Sequence, residues 1–193
     1  MSGQNIVTPS ADALLASAKA AGAEKSGSLP PVHLWNPPFC GDLDMVIKRD
    51  GTWFYQGTPI GRPALVRLFS TILKREGDKF FLVTPVEKVG ITVEDVPFVA
   101  VDFETKGDAL IFETNLGDHV KLNTENPLRV ELDKDHAPLP YIHVRAGLEA
   151  RIDRKSFYRL VDIGVDEAHN GDRWFGVWSD GGFFPIIQSD ALR

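Results

Sequence analysis

Cationic side chains stand at the starts of two predicted helices, where the helix dipole disfavours positive charge. Arg62 begins the first of these helices, and Arg154 with Lys155 begins the second. A helix N-terminus offers free backbone N–H groups, and an adjacent guanidinium adds charge-assisted hydrogen bonds, so the combination favours binding of an anion. The alternative is that these cations form structural ion pairs and cover apolar surface with their stems.

The charge around the second helix start supports the first interpretation. Residues 145–159 carry five cations and two acids, in a chain whose net charge is −6. We therefore expect Arg62, Arg145 and Arg154 to contact an anionic ligand.

Two loops that follow predicted strands add candidate binding residues. Residues 84–88 contain Thr84 and Lys88, and residues 178–182 begin with Trp178. A hydroxyl, a second cation and an indole for stacking are groups that recognise a nucleotide-like molecule. The alternative for the first loop is a turn that carries a solvated Glu-Lys pair.

The residue types of catalytic and metal sites occur without supporting patterns. Cys40 has no nucleophile signature around it, so a cysteine hydrolase is only a minor hypothesis. Asp42 and Asp44 alternate along one face of a predicted strand, and the five histidines show no metal-ligand spacing. No phosphate loop or nucleophile elbow is present. We expect a non-enzymatic protein with no metal and no cofactor.

The candidate residues lie in two copies of a predicted β-β-α-β-β motif. In the first copy, Asp50-Gly51 predicts a type I′ hairpin, Pro63 opens a helix that stops at Gly77, and strands follow at 79–84 and 90–93. In the second copy, 92 to 96 residues downstream, Asp153 is a predicted N-cap. Identities recur in the same order in both copies, and a β-meander over residues 96–132 separates them.

These elements predict an α+β fold of two β-rich domains. We expect a flexible tail with a weak helix over residues 1–31, with a linker at residues 25–31. An N-terminal domain over residues 32–95 and a C-terminal domain over residues 96–193 follow. A Rossmann fold is disfavoured because strands and helices do not alternate regularly.

Composition excludes several classes of protein. The acidic balance disfavours a general nucleic-acid coating role, and the single cysteine excludes an internal disulfide framework and indicates a reducing compartment. No apolar run is long enough to span a membrane, and the Ala-rich residues 11–23 lack the basic start of a secretory signal. We therefore expect a cytoplasmic location.

Several linked motifs resemble the bacterial family called domain of unknown function 1285, over residues 34–187. The resemblance rests on residues 40–44 (CGDLD), 50–55 (DGTWFY), 82–88 (LVTPVEK), 93–101 (VEDVPFVAV), 127–130 (PLRV), 141–151, 157–158 (FY) and 176–179 (GVWS). It implies two domains that share a repeated motif, the second superficially like a pleckstrin-homology module, with a ligand site between them and a role in bacterial signal transduction. Strands predicted after the second helix depart from a pleckstrin-homology module, whose helix comes last.

The function hypotheses belong to two classes. In the first, a regulatory protein binds an anionic, nucleotide-like ligand between its two domains through Arg62, Thr84, Lys88, Arg145, Arg154 and Trp178. In the second, an adaptor binds a signalling protein through its sheet edges. Deletion of residues 1–30 should abolish partner capture by the adaptor and leave small-molecule binding untouched.

Overall fold

The structure is a computed structural model that describes residues 9–23 and 28–192. The chain separates into two compact units, one ending at Asp95 and the other beginning at Val96. Within the described residues, no helix has the length and apolar character needed to cross a membrane.

The N-terminal unit is built on a six-stranded sheet of order β3-β2-β1-β6-β5-β4, in which only β1 and β6 are parallel. Its helices are α1 (Ala11–Ala20) and α2 (Pro63–Thr71), with a short 3₁₀ turn at Val32–Leu34. Its strands are β1 (Phe39–Ile47), β2 (Trp53–Tyr55), β3 (Thr58–Pro59), β4 (Leu73–Glu76), β5 (Lys79–Val83) and β6 (Lys88–Val93).

Helix α2 packs on this sheet but ends earlier than its sequence predicts. Pro63 occupies the first turn, and the ring of Phe69 stacks on that of Trp53 with centroids 6.5 Å apart. The predicted stop at Gly77 is wrong, because Gly77 has a φ of +60° in the β4–β5 turn. The sequence does not predict strand β4, because Leu73 continues the apolar spacing of the helix and the next three residues are good helix formers.

The β1–β2 hairpin forms where predicted, but its turn is not type I′. Gly51 has a φ of +88°, whereas Asp50 is not among the residues with positive φ. The N–H of Gly51 donates to the carbonyl of Lys48 over 2.9 Å, and Asp50 Oδ1 accepts from Thr52 N. One left-handed residue after a type I turn corresponds to a three-residue hairpin loop with a bulge.

The predicted weak helix is present as α1, and it is docked on the N-terminal unit. Ser10 caps it by accepting from Ala13 N, and Leu14 and Ala18 are almost completely buried. The N–H of Ala11 donates to the hydroxyl of Tyr55. Burial of one apolar stripe fixes a helix that its own propensity would leave marginal. Of the predicted linker, residues 25–27 lie outside the described residues.

The C-terminal unit combines a six-stranded sheet with a three-stranded one. The first has the order β10-β11-β12-β7-β8-β9, with β12 and β7 parallel, and the second has the order β13-β14-β15. Its elements are β7 (Phe98–Lys106), β8 (Ala109–Thr114), β9 (His119–Lys121), β10 (Leu128–Leu132), β11 (Pro138–Arg145), β12 (Leu148–Ile152), α3 (Arg154–Asp162), β13 (Val165–His169), β14 (Asp172–Ser179), β15 (Gly182–Gln188) and a 3₁₀ turn (Ser189–Leu192).

The α+β prediction and the duplicated motif are confirmed. The predicted order β-β-α-β-β recurs as β1-β2-α2-β5-β6 and as β11-β12-α3-β14-β15, if the two-residue strand β3 is set aside. An additional strand that the sequence does not predict, β4 or β13, follows each helix directly. The pairing differs, because all strands of the first copy share one sheet whereas β14 and β15 leave the sheet of β11 and β12. Three strands follow α3, so the helix is not last, and the likeness to a pleckstrin-homology module is not confirmed.

A buried serine fastens the two sheets of the C-terminal unit together. The Ser179 hydroxyl, at the end of β14, donates to the carbonyl of Leu122 over 2.6 Å and accepts from the N–H of Leu110 over 2.9 Å. The next residue continues the join, since Asp180 N donates to the carbonyl of Asp108. Ser179 is fully buried, so no water replaces these bonds if the hydroxyl is lost.

We predict that Ser179→Ala lowers the free energy of unfolding by about 1–3 kcal/mol, the cost of leaving a buried donor and acceptor unsatisfied. The matched control is Ser156→Ala in α3, because Ser156 is equally buried but its hydroxyl has no hydrogen-bond partner among the residues that the structure describes. That variant should be neutral or stabilising. Urea denaturation measures the free energy of unfolding of both variants. An equal decrease in the two would contradict the stabilising role of the Ser179 hydrogen bonds.

Candidate functional site

A cavity of about 470 Å³ opens in the C-terminal unit where α3 begins. The start of β11 with the turn before it, the end of β12 and the first two turns of α3 line it. Its walls are mainly apolar, with two arginines and one aspartate. The lining residues are Asp133, Ala137, Pro138, Leu139, Pro140, Arg151, Ile152, Arg154, Phe157 and Tyr158. A volume of this size accommodates a small organic molecule.

The position of the N-cap residue of α3 determines which side chains of the helix line this cavity. Asp153 caps the helix as predicted, with Oδ1 accepting from Ser156 N over 2.7 Å, so Arg154 is the first helical residue. Residues three and four positions further along a helix lie on the same face, which brings Phe157 and Tyr158 beside Arg154. All three line the cavity.

The electrostatics of the cavity favour an anion. Arg154 is exposed and has no ion-pair or hydrogen-bond partner in the part of the chain that the structure describes. Asp133 also lines the cavity, but its Oδ1 accepts the N–H groups of Asp135 and Ala137 over 2.8 and 2.9 Å. The aspartate therefore stabilises its own turn, and Arg154 is the cation that remains available.

Arg145 does not join Arg154 in this cavity. It stands at the tip of the β11–β12 hairpin, in register with Leu148, whereas Arg154 follows the far end of β12. Its guanidinium forms an ion pair with Asp118 over 3.1 Å and lies 4.9 Å above the ring of Phe98. These contacts fit the alternative interpretation, in which the cation has a structural role.

The loop residues of the N-terminal unit also make structural contacts. Thr84 is fully buried, and its Oγ1 accepts from Glu87 N over 3.2 Å to shape the β5–β6 turn. Lys88 forms an ion pair with Glu76 over 3.0 Å and lies 4.7 Å from the centre of the Phe81 ring. The hydrogen bond from Lys88 is the main cause that lowers the pKa of Glu76.

Arg62 occupies the repeat position that corresponds to Arg154, in different surroundings. It is the N-cap residue of α2 and is exposed, but its side chain makes no capping hydrogen bond. It does not line the cavity at α3. The prediction that it contacts the ligand stays a prediction.

Trp178 is half exposed on β14 and lies beside a carboxylate. Its Nε1–H group is 3.4 Å from Glu167 Oε1, and its ring centroid is 5.6 Å from that of Phe183. A negative charge at the edge of the indole disfavours stacking of an anionic ligand there.

Sequence reasoning missed the walls of the cavity. Tyr158 lies four residues after Arg154, so helical spacing could have placed it beside the cation. Phe157 follows Arg154 by three residues and is half buried, so the same spacing places it beside the cation. Pro138 and Pro140 carried no recognisable signal, because they meet α3 only through the tertiary pairing of β11 and β12.

The exposed side chains of β1 are not among the residues that line this cavity. Asp42 and Asp44 are both exposed, as their alternation predicted, and Cys40 is an exposed free thiol. Within residues 9–23 and 28–192, no group of three or more histidine, cysteine or acidic side chains is arranged to hold a metal ion.

We predict that Lys88→Met raises the pKa of Glu76 towards its usual value of 4.5. Because the folded-state pKa is lowered, the ion pair stabilises the protein above that value, and the stabilisation is lost as the pH falls through the folded-state pKa. Carboxyl ¹³C NMR titration measures the change. Lys121→Met, which removes a lysine from the other unit, is the control, and an unchanged Glu76 pKa in Lys88→Met would refute the pairing.

Comparison with known proteins covers most of the chain. The N-terminal domain model of DUF1285, a domain of unknown function, matches residues 30–96, and the C-terminal domain model matches residues 97–186. A crystal structure of a DUF1285 family protein from Silicibacter pomeroyi DSS-3 is 61% identical with a TM-score of 0.81, covering 93% of this chain and 97% of that one.

A second solved structure is more distant. A DUF1285 family protein from Shewanella baltica OS155 is 31% identical with a TM-score of 0.53, covering 62% of this chain and 91% of that one. No curated protein matches the chain. Because the two domain models together match most of its residues, the chain belongs to the DUF1285 family of proteins of unknown function.

Proposed function

We propose that this protein is a non-enzymatic regulatory protein that binds an anionic, ring-bearing small molecule in the cavity at the start of α3. The observation that carries the proposal is Arg154, an exposed guanidinium without a partner in the described residues, on the wall of a cavity of about 470 Å³. An arginine in this position binds a phosphate or carboxylate with two parallel hydrogen bonds.

The other walls support a planar ring as the second part of the ligand. Phe157 and Tyr158 lie beside the cation, and Tyr158 is 58% exposed, so its ring face is available for stacking. Pro138 and Leu139 add apolar surface to the cavity lining. A nucleotide combines an anionic group with a planar ring and is the ligand class that fits this pair of surfaces.

The wider role is part of the same proposal. A bacterial, cytoplasmic signalling protein that changes state when a nucleotide-like molecule binds is consistent with an acidic chain that has one cysteine. The adaptor that acts through sheet edges remains the alternative hypothesis.

Isothermal titration calorimetry against mononucleotides, cyclic dinucleotides, sugar phosphates and inorganic phosphate tests the proposal. We expect at least one nucleotide to bind the full chain, and Arg154→Ala to weaken its affinity about ten- to hundredfold, the value of a charge-assisted hydrogen-bond pair. Lys155→Ala is the matched control. It removes an adjacent exposed cation from the same helix start but does not change the cavity wall.

Three results would contradict the assignment of the binding site to this cavity. The first is a folded protein that binds no member of the panel. The second is an equal loss of affinity in Arg154→Ala and Lys155→Ala, and the third is full affinity in Arg154→Ala. A loss in Arg62→Ala as large as that in Arg154→Ala would favour the original expectation of a site between the two domains.

A further inference from the structure

Three aromatic rings form a stripe across the exposed face of the three-stranded sheet. The ring centroids of Trp178 on β14 and Phe183 on β15 are 5.6 Å apart, and the same distance separates Phe183 from His169 on β13. These three side chains are the aromatic stripe. Trp178 is 51% exposed, whereas its neighbours Val177 and Ser179 point to the other face and are fully buried. The stripe therefore lies on the solvent side of the sheet, with Trp178 exposed and Phe183 and His169 partly exposed.

A glycine in the middle strand makes the stripe continuous. A Cβ atom at Gly176 would lie 2.7 Å from Cζ of Phe183 and 2.3 Å from the carbonyl oxygen of Phe184. Because no side chain occupies this position, the Phe183 ring lies across β14 and reaches His169 on the far strand. Glycine inside a strand commonly marks such a close approach.

The angles between the ring planes indicate what shape of partner fits the stripe. The planes of Trp178 and Phe183 meet at 55°, and those of Phe183 and His169 meet at 54°. Neighbouring rings at these angles leave V-shaped clefts rather than a flat surface on which a base would stack. Proline rings of a polyproline II helix fit clefts between aromatic side chains, and this helix is already extended before it binds.

The negative charges on this face favour a cationic partner. The carboxylate of Glu167 lies beside the indole N–H of Trp178, and Asp172 pairs in register with His169 at the other end of the stripe. Carboxylates at both ends repel nucleic-acid phosphate and attract lysine or arginine.

We propose that the aromatic stripe binds a proline-rich protein segment that carries an arginine or lysine. The prolines lie in the clefts between the three rings, and the cation lies against Glu167. This surface is separate from the cavity proposed for the small molecule, and the two proposals fail or succeed independently.

Titration of the ¹⁵N-labelled full chain with a nonapeptide of eight prolines and one arginine tests this proposal. We expect the indole N–H signal of Trp178 to shift and that of the fully buried Trp53 to stay in place. Trp178→Ala should weaken binding at least about tenfold, as truncation of a central aromatic contact does. Phe39→Ala is the control, because Phe39 is a similarly exposed aromatic residue that lies outside the stripe.

The charge requirement is tested without altering the packing of the sheet. Replacing the peptide's arginine by glutamate should weaken binding, and Glu167→Lys should reverse that preference. The proposal fails if the peptide causes no shift at millimolar concentration, or if Trp178→Ala binds it as tightly as the native chain. It also fails if a peptide with alanines in place of the prolines binds equally well, or if oligothymidylate shifts the Trp178 signal and the peptide does not.

Discussion

The C-terminal unit depends on the attachment of α3 to the parallel pair of β12 and β7, and Asp153 makes that attachment. Its N–H donates to the carbonyl of Ala100 on β7 over 3.0 Å, which continues the ladder one residue beyond β12. Its side chain caps α3 through Ser156 N, and its carbonyl accepts the first helical bond from Phe157 N over 2.8 Å. One residue thus ends a strand, begins a helix and fixes the direction in which Arg154 points.

A second contact holds the far end of α3 against the same strand. Arg159 pairs with Asp102, donates to the carbonyl of Phe103 over 3.0 Å and lies 4.6 Å from the centre of the Phe103 ring. The backbone N–H of Phe103 and the guanidinium of Arg159 both lower the pKa of Asp102. Fixed at both ends, the helix presents its first turn to the cavity as a rigid wall, which reduces the entropy lost when a ligand binds.

The elements were largely predictable because they depend on local spacing, whereas the site depends on tertiary pairing. The N-cap at Asp153 and the α3 start were recognisable from residue type and apolar periodicity alone. The roles of Lys88 and Arg145 were not, because their partners are distant in sequence: Glu76 lies on β4 and Asp118 in the turn between β8 and β9, and only the pairing of the strands brings them close. Equivalent positions in the repeat, Arg62 and Arg154, also differ in their surroundings, since Arg62 is itself the N-cap residue of α2 whereas Asp153 caps α3 and places Arg154 inside the helix.

The central claim is that the cavity at the start of α3 receives an anion on Arg154 and a ring beside Tyr158. The crystal structure of the full chain with the tightest-binding nucleotide of the panel tests it most directly. The account predicts electron density in this cavity, with the phosphate within hydrogen-bond distance of the Arg154 guanidinium and the base against Tyr158. Density for the nucleotide at any other place, with this cavity empty, would contradict it.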